Sequence, residues 1–252
     1  MATLHFPAVL PVVPEGLDVE LPALAPLRQR FPEVRVGDPA AATRRALSRL
    51  RLPDLKGRSV AITAGSRGIP HVAVIVRELV SVLRGAGAEP FVVPAMGSHG
   101  AASAEGQAQV LADYGITEAT VGAPVRSSLE TVVTGRLPDG TPVYTDRLAA
   151  QADGIVVFNK VKPHTSFKAT HESGLAKMLV IGLGKHDGAR TMHNYELTEM
   201  GRLLPTAAGV VLGSLPVLFG LAVVENAWGE LAIVEAVEVG RLLEREAELL
   251  TE

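Results

Sequence analysis

No cysteine occurs in the 252 residues. That excludes disulfides, thiolate metal sites and a thiol nucleophile. Aromatic residues make up only 4% of the chain, although 47% is hydrophobic. A core of Ala, Val, Ile and Leu suits a parallel sheet covered by helices. An excess of one charge is also missing, since 24 Lys and Arg against 27 Asp and Glu leave a net −3. Such a balance exerts no long-range pull on nucleic acid, and no segment reads as a basic arm. A membrane-spanning helix needs about 20 consecutive apolar residues. The uncharged stretch 203–224 is long enough, but Pro205, Gly213 and Pro216 interrupt it. It reads as core segments of a soluble protein. The opening "MATLHFPAVLPVVPEG" has no positive leader and contains three prolines, so it reads as strand and connector, not as a signal peptide. The expectation is a cytoplasmic protein with neither a nucleic-acid nor a membrane partner. The length suits one large α/β domain or two small ones.

What is present is a β-α rhythm. "VGDPAAATRRALSRL" predicts a helix with Asp38 as N-cap and Pro39 at its first position. "RSVAITAG" reads as a buried strand, "SRGIP" as a turn, and "HVAVIVRELVSVLRGAG" as a helix closed by glycine. "EPFVVPA", "MGSHGAA" and "SAEGQAQVLADYG" repeat the strand, turn and helix, with Ser103 as N-cap. Successive units of this kind predict parallel strands and right-handed crossovers. "ETVVTGRLPDGTPVYT" predicts a hairpin around "PDG". "ADGIVVFNK" resumes the strands, and "FGLAVVENAWGELAIVEAVEV" reads as two more joined near Gly229. "GRLLEREAELLTE" reads as a short charged helix. The predicted class is α/β, a doubly wound and mostly parallel sheet with helices on both faces and a β-hairpin insertion.

Ligands of such sheets bind beyond the carboxyl ends of the strands. Three turns occupy these ends: 65–70, 96–102 and 159–164. Glycine there lets backbone N–H groups approach an anion, and a following helix N-terminus favours negative charge. Nitrogen-bearing side chains are concentrated in the same part of the chain. Nine of the thirteen His and Lys residues lie between Lys160 and His193.

"SRGIP", "GSHG" and "VKPHTSFKATHESGLAK…GKHDGARTMH" together resemble the N-terminal domain of the nickel-dependent lactate racemase family, from about Arg58 to about Glu235. The resemblance implies a nickel-pincer nucleotide, covalently attached at Lys177. His193, 16 residues later, matches the nickel ligand. His99 and His164 match the two residues that exchange the substrate hydroxyl proton, while the C2 hydrogen passes to the cofactor as hydride. Arg67 matches the residue that binds the substrate carboxylate. Ser66, Gly97, Ser98, Lys160 and Lys162 are the expected cofactor contacts. The chemistry of these residue types agrees. Imidazole suits nickel, histidine moves protons near neutral pH, and arginine grips a carboxylate with two hydrogen bonds. The implied partner is a small 2-hydroxy acid, with racemisation and sugar-acid epimerisation both open. A homo-oligomer is compatible with the chain.

Three departures stand out. Ala64 occupies a position that is acidic in the characterised enzyme. The His164–Lys177 spacing is longer than the family's, with His171 and Glu172 inside it. The chain reads as a single α/β domain over 1–252, without the family's second domain. Two other readings compete: a nucleotide-binding or regulatory domain that kept the fold without the chemistry, and a zinc hydrolase using His99, His164, His171 and His193. Of the remaining polar residues, Lys185 and His186 are expected on the solvent side, Lys168 solvated, and His5 and His71 structural. Trp228, beside Glu225 and Asn226, reads equally as a turn cover or as part of a cleft wall.

Overall fold

The computed structural model describes residues 25, 26 and 28–252. The expected N-terminal strand and His5 lie outside them. The chain divides at Phe31/Pro32. All helices and strands described below belong to Pro32–Glu252.

Helix α1 (Pro39–Leu47) starts as expected, with the Asp38 side chain accepting the Ala41 N–H. Then come β1 (Ser59–Ala64), α2 (Val72–Gly85), β2 (Glu89–Pro94), α3 (Ala104–Asp113) and the short α4 (Glu118–Val121). Ser103 caps α3 by accepting the Gly106 N–H. The hairpin β3 (Thr131–Arg136) and β4 (Pro142–Asp146) forms its own two-stranded sheet, followed by α5 (Arg147–Ala150) and β5 (Gly154–Lys160). After a long turn come α6 (Leu175–Lys177), a π-helical segment Met178–Gly182, α7 (Lys185–Met192) and α8 (Met200–Ser214). Strands β6 (Val217–Glu225) and β7 (Leu231–Glu238) and helix α9 (Leu242–Leu249) complete it.

The main sheet has the order β2-β1-β5-β6-β7. Its first four strands are parallel, and β7 runs antiparallel to β6. Side-chain alternation divides the core between two faces. Ala61, Ile155 and Val157 pack under α6–α9, whereas Val60, Ile62, Val156 and Phe158 pack against α1, α2 and α3. The chain leaves β1 to one side for β2 and returns on the other for β5. This reversal creates a switch point between β1 and β5, where a crevice opens beyond the strand ends.

Two expectations need correction. Pro205 does not break the apolar stretch 203–224 but lies inside α8. The break falls at Pro216, before β6. No helix among the described residues is long and apolar enough to cross a membrane. Lys185 does not face solvent but is fully buried, while His186 is exposed as expected. The Lys185 backbone has φ 52°, in the left-handed region. The chain reverses there as it enters α7, which turns the side chain inward toward Asp146.

Candidate active site

The three strand-end turns meet around one cavity of about 250 Å³. Arg67, His99, His164, Lys177 and His193 all line it, and among the described residues no Asp or Glu does. Ser66, Gly97, Ser98, Lys160 and Lys162 line it too. The expected pocket therefore has its ten named residues on a shared wall.

The turn after β1 begins at Gly65. A Cβ there would sit 3.0 Å from Met178 Cε, so a small residue lets the π-helical segment close the floor. Ser66 Oγ is hydrogen-bonded to His99 Nδ1, and the Tyr114 hydroxyl donates to the Ser66 carbonyl at 3.0 Å. Arg67 is exposed at the rim.

The turn after β2 depends on Gly97, whose φ of 61° suits glycine. A Cβ there would lie 3.3 Å from both Ala189 Cβ and the Ile181 carbonyl oxygen. Gln107, fully buried on α3, donates to the Gly97 carbonyl at 2.8 Å and the His99 carbonyl at 3.2 Å. Gln107 Oε1 in turn accepts from Lys185 Nζ at 3.2 Å. Lys185 also donates to the Pro94 carbonyl at the end of β2 and pairs with Asp146 at 2.9 Å. Among the described residues Asp146 Oδ2 has no partner besides this ion pair. Lys185, Asp146 and Gln107 thus brace the His99 turn from behind.

The turn after β5 carries His164. Its backbone N–H donates to Glu172 Oε2 at 2.6 Å, and Glu172 Oε1 accepts the Ala169 N–H at 3.0 Å. The Phe167 ring lies 4.4 Å from the imidazole, centroid to centroid. His164 Nδ1 accepts the Ser166 N–H at 3.2 Å. Glu172, one of the two unexpected residues, therefore shapes this turn. The other, His171, is buried away from the cavity and bonds the Leu243 carbonyl of α9 at 2.8 Å. Lys160 reaches the wall, but its ammonium is held by Glu225 at 2.6 Å and the Gly68 carbonyl at 2.8 Å. Lys162 has no acidic partner among the described residues. Lys168 is exposed at 77%, with Glu172 3.8 Å away.

Lys177 ends α6. The Glu246 carboxylate of α9 accepts the Ala176 N–H at 2.7 Å, and a Cβ on Gly174 would overlap it. Burial, with Arg67 and Lys162 adding repulsion, pushes the Lys177 pKa down. Burial, Arg67 and Lys177 likewise lower the His99 pKa. Burial, Lys177 and Lys162 lower that of His164, with Glu172 opposing. Both imidazoles are thereby biased toward the neutral form, which can accept a proton. His193 also lines the cavity, where it caps the C-terminal end of α7.

Gln107, Asn159, Ser173 and Glu246 were not singled out from the sequence. Asn159 donates to the Gly174 carbonyl at 2.8 Å and ties the end of β5 to the start of α6. The four-histidine zinc site is not assembled, because His171 is turned toward α9. Among the described residues no three His, Asp or Glu side chains are placed to share a metal ion.

The family model for the lactate racemase N-terminal domain matches residues 56–202, more than half of the chain. Among solved structures, the lactate racemase apoprotein from Thermoanaerobacterium thermosaccharolyticum matches with a TM-score of 0.61 at 15% identity. The match covers 88% of this chain and 59% of that one, and at this identity it shows the fold alone. The chain thus spans less than two thirds of the solved relative. No curated protein matches the chain.

Proposed function

The chain belongs to the lactate racemase N-terminal domain family, and from this premise we propose that it is the cofactor-binding domain of a 2-hydroxy-acid racemase or epimerase that carries a nickel-pincer nucleotide on Lys177. The observation that carries the reading is the composition of the cavity. Lys177, His193, His99, His164 and Arg67 come from separate turns and helices, yet line one space with no acidic side chain among the described residues.

The residues present fit such a group. A nucleotide phosphate and a substrate carboxylate are both anionic, and Arg67, Lys162 and Lys177 are cations without acidic partners among the described residues. Lys177, with its pKa lowered, suits covalent attachment, because a neutral amine is the nucleophile. His193 supplies a neutral imidazole donor suited to nickel. Lys162, with no acidic partner among the described residues, is better placed for phosphate than Lys160, which Glu225 and the Gly68 carbonyl hold. When bound, the cofactor supplies the acceptor for the C2 hydrogen. Arg67 orients the carboxylate, and His99 and His164 hold or move the hydroxyl proton.

The test is co-expression with the cofactor-synthesis enzymes, followed by intact mass and nickel analysis. The expected result is added mass on Lys177 and one nickel per chain. Lys177→Ala loses the covalent mass. His193→Ala keeps the mass and loses the nickel. His99→Ala and His164→Ala keep both but slow turnover by roughly 10²–10⁴-fold, the usual contribution of a positioned acid or base. Full nickel in His193→Ala removes that residue as ligand. Neither mass nor metal on the wild-type chain favours the binding-domain reading.

A further inference from the structure

The two cavity histidines are tied down differently. His164 Nδ1 accepts a backbone N–H, that of Ser166, at 3.2 Å. A backbone amide can only donate, so Nδ1 of the neutral ring is bare and the proton sits on Nε2. The Phe167 ring packs against this imidazole, and Glu172 fixes the backbone beneath it. His99 Nδ1 instead faces a hydroxyl, Ser66 Oγ. A hydroxyl can donate or accept, so the surroundings decide its role.

Three observations decide it. Neither Ser66 Oγ nor His99 Nε2 has another hydrogen-bond partner among the described residues. Arg67 and Lys177 both act electrostatically on this ring. Among the described residues the cavity it lines carries no acidic side chain. Nδ1 is engaged by Ser66, so Nε2 is the ring nitrogen left for the cavity, and in the positive field of Arg67 and Lys177 a lone pair there is favoured over an N–H. The favoured arrangement has the proton on Nδ1, donated to Ser66 Oγ.

We infer that the site is preset with its two histidines in opposite tautomers: His99 presents a bare Nε2 and His164 an Nε2–H, and Ser66 is the positioning residue that sets the first. The inference rests on the proposed function for its catalytic meaning. In the resting site only His99 can take the proton of a substrate hydroxyl. The O–H bond breaks, the proton passes to Nε2 to give an imidazolium, and the electron pair stays on the oxygen. His164 Nε2–H serves as a hydrogen-bond donor from the start. A substrate enantiomer with its hydroxyl toward His99 reacts directly. Its mirror image meets a donor where it needs an acceptor, and must wait until the ring changes tautomer, its proton passing from Nε2 to Nδ1 as the Ser166 N–H leaves Nδ1.

Long-range ¹H–¹⁵N correlation spectra of the ¹⁵N-histidine-labelled chain at pH 8 read the tautomers without cofactor. His99→Ala and His164→Ala assign the signals. The expected pattern is Nδ1–H for His99 and Nε2–H for His164. Ser66→Ala should move His99 to mostly Nε2–H. Ser66→Thr, which keeps the hydroxyl, should restore Nδ1–H, and His164 should not change in either variant. A wild-type His99 in the Nε2–H form, or one that Ser66→Ala leaves unchanged, overturns the inference. This readout is independent of nickel and nucleotide, so failure of cofactor loading and failure of the tautomer assignment are separate results.

Discussion

Two polar regions built from the same segment of sequence lie back to back at the end of β2. One is the cavity around Lys177. The other is the buried centre around Lys185, eight residues later. Lys185 is fully buried and fully compensated: Asp146 pairs with it, and Pro94 and Gln107 accept its remaining hydrogen bonds. Lys177 is less buried and shares its cavity with Arg67 and Lys162, with no carboxylate lining it among the described residues. Folding alone explains the first arrangement, because a buried charge must be paired. It does not explain the second, which becomes favourable only when an anion arrives. Compensation, more than burial, separates the structural lysine from the functional one.

The largest effect that tests this contrast is at Lys185. Lys185→Met keeps most of the volume but leaves Asp146 buried without its cation, with only the Ala149 N–H on Oδ1. Removing one member of a buried pair costs about 3–5 kcal/mol. Thermal and urea unfolding should show this loss, with the melting temperature down by roughly 6–20 °C at this chain size. Adding Asp146→Leu should recover most of it, since an apolar pair leaves no charge stranded. A single variant as stable as wild type would mean that Lys185 does not compensate Asp146.

The same contrast explains what the sequence made legible. Buried parallel strands are nearly continuous apolar runs, so β1, β2 and β5 stand out in "SVAITA", "EPFVVP" and "GIVVFNK". Glycine and histidine at their carboxyl ends mark the crevice, because these positions are fixed by the fold class. The Lys185 pair is hidden because Asp146 lies 39 residues earlier in a hairpin. Only the left-handed backbone at Lys185 directs the ammonium inward. Glu246 is hidden differently. Its helix looks uniformly charged, yet Leu242, Glu246 and Leu249 recur at helical spacing, and all three are buried. That periodicity is in the sequence and marks Glu246 as the one glutamate on the apolar face.

Glu246 gives the next effect. Burial raises its pKa to about 7, with the amides of Ala176 and Leu175 opposing. The folded value lies above the unfolded value of 4.5, so the folded chain holds the proton more tightly. The associated stability is complete below pH 4.5 and is lost as pH rises through about 7. At about 1.4 kcal/mol per pH unit, that window carries about 3 kcal/mol. Glu246→Gln mimics the protonated group and should remove this component. Its melting temperature should fall less than that of wild type between pH 5 and pH 8. Parallel slopes for the two proteins would mean that Glu246 does not titrate in this window.

The smallest effect has the opposite sign to the first. Lys177→Met deletes an ammonium that burial and two neighbouring cations disfavour, and leaves an apolar chain beside Met178. The substitution should stabilise the chain by about 0.5–2 kcal/mol, as replacements at strained functional positions commonly do. Its unfolding midpoint in urea should rise, with the slope unchanged because the same surface is exposed. The same replacement at Lys185 destabilises, so the two variants form one experiment on two lysines of a single segment. The gain should shrink in concentrated phosphate, because an anion in the cavity supplies wild-type Lys177 with its missing partner and stabilises the protein that binds it. If Lys177→Met destabilises to the same extent as Lys185→Met, Lys177 is a structural lysine, and its charge does not await a ligand.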